Sequence, residues 1–170
     1  MLSPRSLGAA AFCRYAQLVM HNRVVMHNRE NQMHIREIFW GTLAYTFVTF
    51  PLAAIWHAVI FNDLYHTFGY FDGEPNFVLG FLTILLQGLV LSFLYPWVNF
   101  SSNGIKRGVK YSLTIGIFFW TSHVLAFVAK QVVENSPSFV AMESFYLLMQ
   151  FVIYGVLIGM IYRKVLEKSA

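Results

Sequence analysis

Four long apolar stretches, separated by short polar connections, occupy almost the whole chain after residue 33. A helix needs about 20 mostly apolar residues to cross the hydrocarbon core of a bilayer. The four stretches cover residues 38–61, 77–98, 109–132 and 139–162. Because backbone groups in lipid must satisfy their own hydrogen bonds, such stretches fold as helices. The sequence therefore predicts an all-α membrane protein with four transmembrane helices.

The composition favours a membrane protein over a soluble domain. Hydrophobic residues make up 57% of the 170 residues, whereas charged residues make up only 12%. A soluble chain of this length could not bury so much apolar surface in its core. The four stretches leave no room for a second folded domain, so we predict one transmembrane domain over residues 34–170.

Residues 1–33 differ in character from the rest of the chain. The sequence LVMHNR at 18–23 is almost repeated by VVMHNR at 24–29, and no acidic residue occurs before Glu30. We predict a poorly structured basic extension in which internal methionines are alternative start positions. The Arg-rich, acid-poor composition also has some features of a mitochondrial presequence.

Charged residues are unevenly distributed between the connections, which indicates the orientation of the bundle. Three basic residues lie in the connection after the second stretch or at its edge: Lys106, Arg107 and Lys110. The connection after the first stretch contains only acidic charges: Asp63, Asp72 and Glu74. Because short cytoplasmic loops collect Lys and Arg, the sequence predicts an up-down bundle with both termini in the cytoplasm. The expected location is the cell inner (plasma) membrane, with the mitochondrial inner membrane as the alternative.

The net charge of +4 follows from the same distribution and does not require a nucleic-acid partner. The basic ends suit contact with anionic lipid headgroups instead. We therefore expect membrane lipids as partners, together with a second copy of the chain or a subunit of a membrane complex.

A faint internal repeat relates the two halves of the transmembrane region. Pro-Asn-Phe-Val at 75–78 precedes Gln87, and Pro-Ser-Phe-Val at 137–140 precedes Gln150. The first and third stretches each contain a histidine. This pattern predicts two tandem helical hairpins. Gln87 and Gln150 are expected to form hydrogen bonds between helices, since polar side chains in membrane bundles commonly do so.

Ionisable residues inside the apolar stretches are the candidate functional residues: His57, His123, Lys130 and Glu143. A charge at the centre of a membrane helix costs about 2.5–3.5 kcal/mol on insertion scales, so it needs a partner or a use. We expect Glu143 to approach His123 or Lys130 on a neighbouring helix. Such a cluster could pass protons, bind a cation or bind a polar headgroup; alternatively, it could simply hold two helices together. A further alternative is haem ligation by His57 and His123.

Aromatic residues near the expected ends of the stretches are typical of the belts at membrane surfaces. These residues are Trp40, Tyr65, Tyr70, Tyr95, Trp97, Tyr111 and Tyr162. They predict where each helix meets the lipid headgroups.

Glycine pairs at helical spacing predict a close approach of helix backbones. The pairs are Gly80 and Gly88, Gly104 and Gly108, and Gly155 and Gly159. We expect them to pack inside the monomer, because four helices must first pack with each other.

Four segments together resemble small uncharacterised four-helix bacterial integral membrane proteins, a family with a domain of unknown function. The segments are PLAAIWHAVIF, EPNFVLGFLTILLQGLVLSFLYP, GIKRGVKYSLTIG and GVLIGMIYR. The resemblance covers roughly residue 33 to the C-terminus, and the N-terminal extension departs from it. It implies a four-span inner-membrane fold and carries over no catalytic or binding residue.

Three classes of function remain open. A small transporter-like or channel-like protein would use Glu143, His123 and Lys130 along its pathway. An accessory protein would stabilise or assemble a larger membrane complex. An intramembrane enzyme acting on lipid is the least favoured, and it would require His57, His123 and Glu143 to converge near the outer headgroups. No catalytic residue, metal site or cofactor is predicted.

Overall fold

The computed structural model describes residues 35–70, 73, 75–98, 100, 102 and 104–166. The expectations for the N-terminal extension therefore lie outside the described residues. Apart from Ile35 and Arg36, every described residue belongs to one compact unit, Glu37–Ala170. Within the described ranges the regular secondary structure is entirely helical.

Five helices form the described structure, and four of them are long and apolar enough to cross a membrane. They are α1 (Ile35–Ile60), the short α2 (Asn62–Thr67), α3 (Phe77–Leu94, extended by a 3₁₀ turn at Tyr95–Trp97), α4 (Gly104–Lys130) and α5 (Ser136–Leu166). The prediction of an all-α chain with four potential membrane helices is confirmed.

The third long helix begins earlier than the sequence suggested. Lys106, Arg107 and Lys110 were expected in a connection, but they lie in the first two turns of α4. Lysine and arginine are good helix formers, and their long side chains can reach water from a helix end. Arg107 donates a hydrogen bond of 2.8 Å to the Val98 carbonyl and lies over the Tyr95 ring.

Local polar groups define two of the helix starts. The Asn76 side chain accepts a hydrogen bond of 2.9 Å from the Leu79 N–H and so caps α3. Asn135, immediately before α5, adopts a left-handed backbone with φ of 52°, a conformation that asparagine tolerates better than most residues. These residues fix where the two helices enter the bundle.

The closest packing in the described structure lies between α4 and α5. The backbone of Gly108 meets the backbones of Gly155 and Gly159, and Gly159 in turn meets Gly104. The predicted glycine pairs of these two helices therefore pack against each other. Because this contact is made by main-chain atoms, it admits no side chain at Gly108.

The α5 helix is the centre of the bundle. In its apolar window 44% of the residues are buried, against 17–28% in the other three long helices. Several tyrosines expected at membrane surfaces lie in this interior instead: Tyr65, Tyr95, Tyr111 and Tyr162. The hydroxyls of Tyr111 and Tyr162 donate to the carbonyls of Leu91 and Ser92, which offsets the burial of both phenols. Trp40 and Trp97 are exposed.

The outward faces of the long helices carry large apolar side chains, including Phe47, Val78 and Phe118, which are about 70% exposed. Such surfaces would aggregate in water but suit contact with acyl chains. The exterior is thus compatible with a multi-pass membrane protein.

Candidate functional site

A fully buried carboxylate lies where four helical segments meet. Glu143 on α5 has no exposed surface, and His57 on α1, Tyr65 on α2 and His123 on α4 surround it. A charge in such a position is stable only if neighbouring groups compensate it. We call these four residues the Glu143 cluster.

The first carboxylate oxygen of Glu143, Oε1, receives two short contacts. The Tyr65 hydroxyl donates to it at 2.6 Å, and His57 Nε2 lies 2.8 Å away. Tyr65 is itself held by the Trp56 indole N–H, which donates to the phenol oxygen at 2.9 Å. Burial and the charge of Glu143 raise the pKa of Tyr65 far above its usual value, so Tyr65 remains a proton donor at neutral pH.

The second carboxylate oxygen, Oε2, is bound less completely. It is buried and has no hydrogen-bond donor among the described residues, while His123 Nε2 lies 3.4 Å from it. The same His123 nitrogen is 3.3 Å from the Tyr70 hydroxyl. His123 is 42% exposed, whereas His57 is almost completely buried. One face of the carboxylate is therefore closed, and the other leads to an accessible imidazole.

Both histidines lie in π-helical segments of five residues. His57 belongs to Trp56–Ile60 in α1, and His123 belongs to Thr121–Leu125 in α4. A π-helical turn inserts an extra residue into an α-helix and redirects the side chains on it, and such turns occur frequently at functional sites. The two turns place one histidine on each side of the same carboxylate.

The hydrogen bonds of His57 determine how many protons its contact with Glu143 holds. His57 Nδ1 is 2.9 Å from the Ala53 carbonyl oxygen. A carbonyl can only accept, so Nδ1 must carry a proton. The contact between Nε2 and Oε1 then holds one proton, either as imidazolium and carboxylate or as neutral imidazole and carboxylic acid. In both forms the pair is neutral overall. An added proton would bind to Oε2, the carboxylate oxygen that accepts no hydrogen bond from the described residues.

A cleft of about 550 Å³ opens beside the Glu143 cluster. His57, His123 and Tyr70 line it at the level of the cluster. Its volume lies within the range of about 300–1,000 Å³ that is typical of small-molecule sites. The walls are mainly apolar, with side chains such as Phe50, Ile84 and Phe119.

A second polar layer lines the same cleft, roughly 10 Å from Glu143 along α5 as judged by helix rise. Gln150 Nε2 donates to the Tyr45 hydroxyl at 3.0 Å, and that hydroxyl donates to Gln87 Oε1 at 3.2 Å. The hydroxyl of Thr49, which also lines the cleft, is buried without a hydrogen-bond partner among the described residues. We call Tyr45, Gln87 and Gln150 the amide layer.

The structure brings together most, but not all, of the residues proposed from the sequence. His57, His123 and Glu143 meet in one cluster, whereas Gln87 and Gln150 join through Tyr45 rather than directly. Lys130 does not reach Glu143. It lies at the end of α4, is exposed and forms no ion pair with any described residue.

Sequence reasoning missed the tyrosines of the site. Tyr65 and Tyr70 were assigned to an aromatic belt, and Tyr45 was not singled out. The sequence did contain one indication of these residues, since the acidic connection is unusually rich in aromatic residues. A connection that only reverses the chain direction does not need the aromatic side chains of LYHTFGYF at 64–71. Only the folded chain shows that α2 returns Tyr65 to the interior.

The cluster does not have the arrangement of a metal or haem site. The described residues contain no group of three His, Cys, Asp or Glu side chains placed to hold a metal ion. The Nε2 atoms of both histidines face the oxygens of one carboxylate, and this geometry does not favour iron ligation between them. The arrangement suits proton exchange between Glu143 and the cleft.

Comparison with protein-family models, with curated proteins and with solved structures found no match.

Replacing Tyr65 with phenylalanine is expected to destabilise the protein by about 1–3 kcal/mol. The change removes the donor to Glu143 Oε1 and leaves the buried Trp56 N–H without its acceptor. Tyr95→Phe is the matched control, because the Tyr95 hydroxyl is buried without a hydrogen-bond partner among the described residues. Unfolding free energies measured in detergent would contradict this account if both variants lost equal stability.

Proposed function

We propose that this protein is a small multi-pass membrane carrier that moves protons across the membrane, with the Glu143 cluster exchanging protons with the cleft. The observation that carries the proposal is the state of Glu143 Oε2. This oxygen is buried, has no hydrogen-bond donor among the described residues and lies 3.4 Å from the nitrogen of a half-exposed histidine. Buried acids with such an accessible neighbour are typical of proton relays in membrane proteins.

His123 is the relay between the cleft and the acid. An imidazole can take a proton on one ring nitrogen and release one from the other. Nε2 faces Oε2, so Nδ1 serves water or a ligand in the cleft. Tyr70 competes for Nε2: when its hydroxyl donates to that nitrogen, His123 is neutral and the contact with Oε2 is lost. This competition lets the relay alternate between a loaded and an unloaded state.

Because the His57–Glu143 pair has no net charge, the energetic cost of adding a proton to it inside the membrane is that of one positive charge. The resting pair has no net charge in either of its two forms, so loading it creates a single positive charge. The cleft is wide enough for water beside His57 and His123, and water shields that charge better than lipid does.

The order of helix contacts supports an up-down arrangement of the four long helices. Early α1 residues contact late α3 residues, as Gly41 does Ser92, while Phe50, later in α1, contacts Phe81, earlier in α3. Together with the basic residues at the start of α4, this supports termini on the cytoplasmic side. We further propose that the protein lies in the inner membrane of a bacterial cell and belongs to a family of small four-helix membrane proteins.

The second candidate is an accessory subunit of a membrane complex. It is favoured by the large exposed apolar side chains, which a partner could cover instead of lipid. In that case the Glu143 cluster would act only as a polar connection between helices. The two candidates differ in whether Glu143 exchanges protons.

Proton entry into liposomes is the deciding measurement. Purified protein is reconstituted with an internal pH-sensitive dye, and a potassium gradient with valinomycin sets the interior negative. We expect acidification faster than in protein-free liposomes, and we expect Glu143→Gln to reduce it to the protein-free rate. Glutamine keeps the shape of the side chain and can accept from Tyr65, but it cannot bind or release a proton.

Lys130→Gln is the control, because it also removes one ionisable side chain from a long helix but lies outside the cluster. It should leave the proton flux unchanged. Should Glu143→Gln fail to fold, His123→Asn tests the same step at a half-exposed position. Wild-type liposomes no faster than empty ones would refute proton carriage, and co-purification of a partner would then support the accessory role.

A further inference from the structure

We propose that the amide layer binds a carboxylic acid in its neutral, protonated form, with the apolar body of the acid along the cleft. The inference rests on the proposed function only for its transport consequence, because binding to the layer does not require Glu143. Its basis is the set of hydrogen-bonding groups that the layer leaves unused.

The Tyr45 hydroxyl gives one hydrogen bond and accepts one within the layer. With Gln150 donating to it and Gln87 accepting from it, the Gln87 NH₂ and the Gln150 carbonyl oxygen remain unused by the described residues. Turning both amides over exchanges their roles and again leaves one NH₂ and one carbonyl. The layer therefore offers a ligand one donor group and one acceptor in either orientation.

A protonated carboxyl group is the complement of this pair. Its carbonyl oxygen accepts from the free NH₂, and its O–H donates to the free carbonyl. The Thr49 hydroxyl, buried beside Tyr45, supplies a further donor or acceptor nearby. A carboxylate would instead direct a lone pair at the free amide carbonyl, and the described residues place no cationic side chain in this layer to offset its charge.

The shape of the cleft suits an elongated apolar body. It is lined along α1 by residues from Tyr45 to His57, and the two polar layers that it joins lie roughly 10 Å apart along α5. Between the two polar layers the wall is formed by small and apolar side chains, Ala53, Ala54 and Leu147 among them. An acid with a medium-length hydrocarbon chain fits this space with its head at the amide layer.

Proton balance connects the two layers. A carboxylate entering past a protonated His123 takes the Nδ1 proton: the N–H bond breaks, an O–H bond forms on the ligand, and His123 becomes neutral. His123, which keeps its proton on Nε2 facing Glu143 Oε2, then regains a proton on Nδ1 from a hydronium ion in the water of the cleft. One proton thus travels with each acid, which would make the protein a carrier of weak acids.

Binding of radiolabelled decanamide and decanoic acid to purified protein in nanodiscs tests the inference. Decanamide carries the same donor and acceptor without an ionisable proton, so its affinity should be equal at pH 5 and pH 8. The apparent affinity for decanoic acid should fall about tenfold per pH unit above the pKa of the acid. Empty nanodiscs correct for partition into lipid.

Two threonines of the cleft provide matched variants. Thr83 lines the cleft, but its hydroxyl already donates to the Leu79 carbonyl of its own helix. We expect Thr83→Val to leave decanamide affinity unchanged, while Gln150→Leu and Thr49→Val each weaken it about tenfold or more, because a site built for hydrogen bonding loses a partner. Should Gln150→Leu fold poorly, Gln87→Leu at the half-buried amide takes its place.

Several results would overturn the inference. They are decanoic acid binding as tightly at pH 8 as at pH 5, decylamine binding more tightly than decanamide, and absence of saturable decanamide binding. Glu143→Gln should bind decanamide normally. Decanamide binding without proton flux would therefore contradict the proposed function alone, and proton flux without decanamide binding would contradict this inference alone.

Discussion

Replacing Gly108 with alanine is expected to separate α4 from α5 and to lower the unfolding free energy by about 3 kcal/mol. Adding a methyl group to a tightly packed contact typically costs about 1–3 kcal/mol. Here the added Cβ would overlap the Gly155 carbonyl oxygen and the Gly159 backbone. Main-chain atoms cannot rotate aside as a flexible side chain can, so the expected loss lies at the upper end of that range.

Gly80→Ala is the matched control, because it makes the same change in another long helix. A Cβ at Gly80 would have no atom within 4 Å. Alanine also favours the helix over glycine by up to about 1 kcal/mol, so this variant should be neutral or more stable. Reversible unfolding in mixed detergent micelles would measure both. Equal stability of the two variants would show that the glycine contact is not tight in the membrane.

The four long helices could be predicted because lipid imposes a local rule. Each helix must satisfy its backbone hydrogen bonds within its own stretch, so the rule acts on consecutive residues and is visible in the sequence. The glycine pairs of α4 and α5 were visible for the same reason. The pair Gly80 and Gly88 shows the limit of this inference: Gly88 packs against Tyr45, but Gly80 faces open space.

The Glu143 cluster was only partly predictable, because it depends on distant neighbours. The energetic cost of an ionisable side chain inside a membrane helix was enough to single out His57, His123 and Glu143 individually. It did not show that π-helical turns redirect both histidines, since no residue type requires such a turn. Nor could it show that a short helix between two long ones returns Tyr65 to Glu143. Lys130 was included on its charge alone, and its position at a helix end lets its side chain reach the surface.

Removing one member of the His57–Glu143 pair is expected to cost more than removing both. Glu143→Leu leaves His57 Nε2 and the Tyr65 hydroxyl without their common hydrogen-bond partner in a buried site. Breaking a buried charge pair from one side typically costs about 3–5 kcal/mol, whereas an apolar replacement of the whole pair can be nearly neutral. The double variant His57→Leu with Glu143→Leu should therefore be more stable than the sum of the single losses implies.

A double-mutant cycle of unfolding free energies measures this coupling, and additive losses would show that the two side chains do not interact. The cycle must be compared with the variant Glu143→Gln, which keeps the hydrogen bond from Tyr65 but removes the exchangeable proton. Strong coupling in the cycle is expected whether the cluster holds helices together or carries protons. Only proton carriage predicts that Glu143→Gln retains most of the stability and still loses the flux. Stability and flux measured on this one variant therefore separate a structural contact from a functional site.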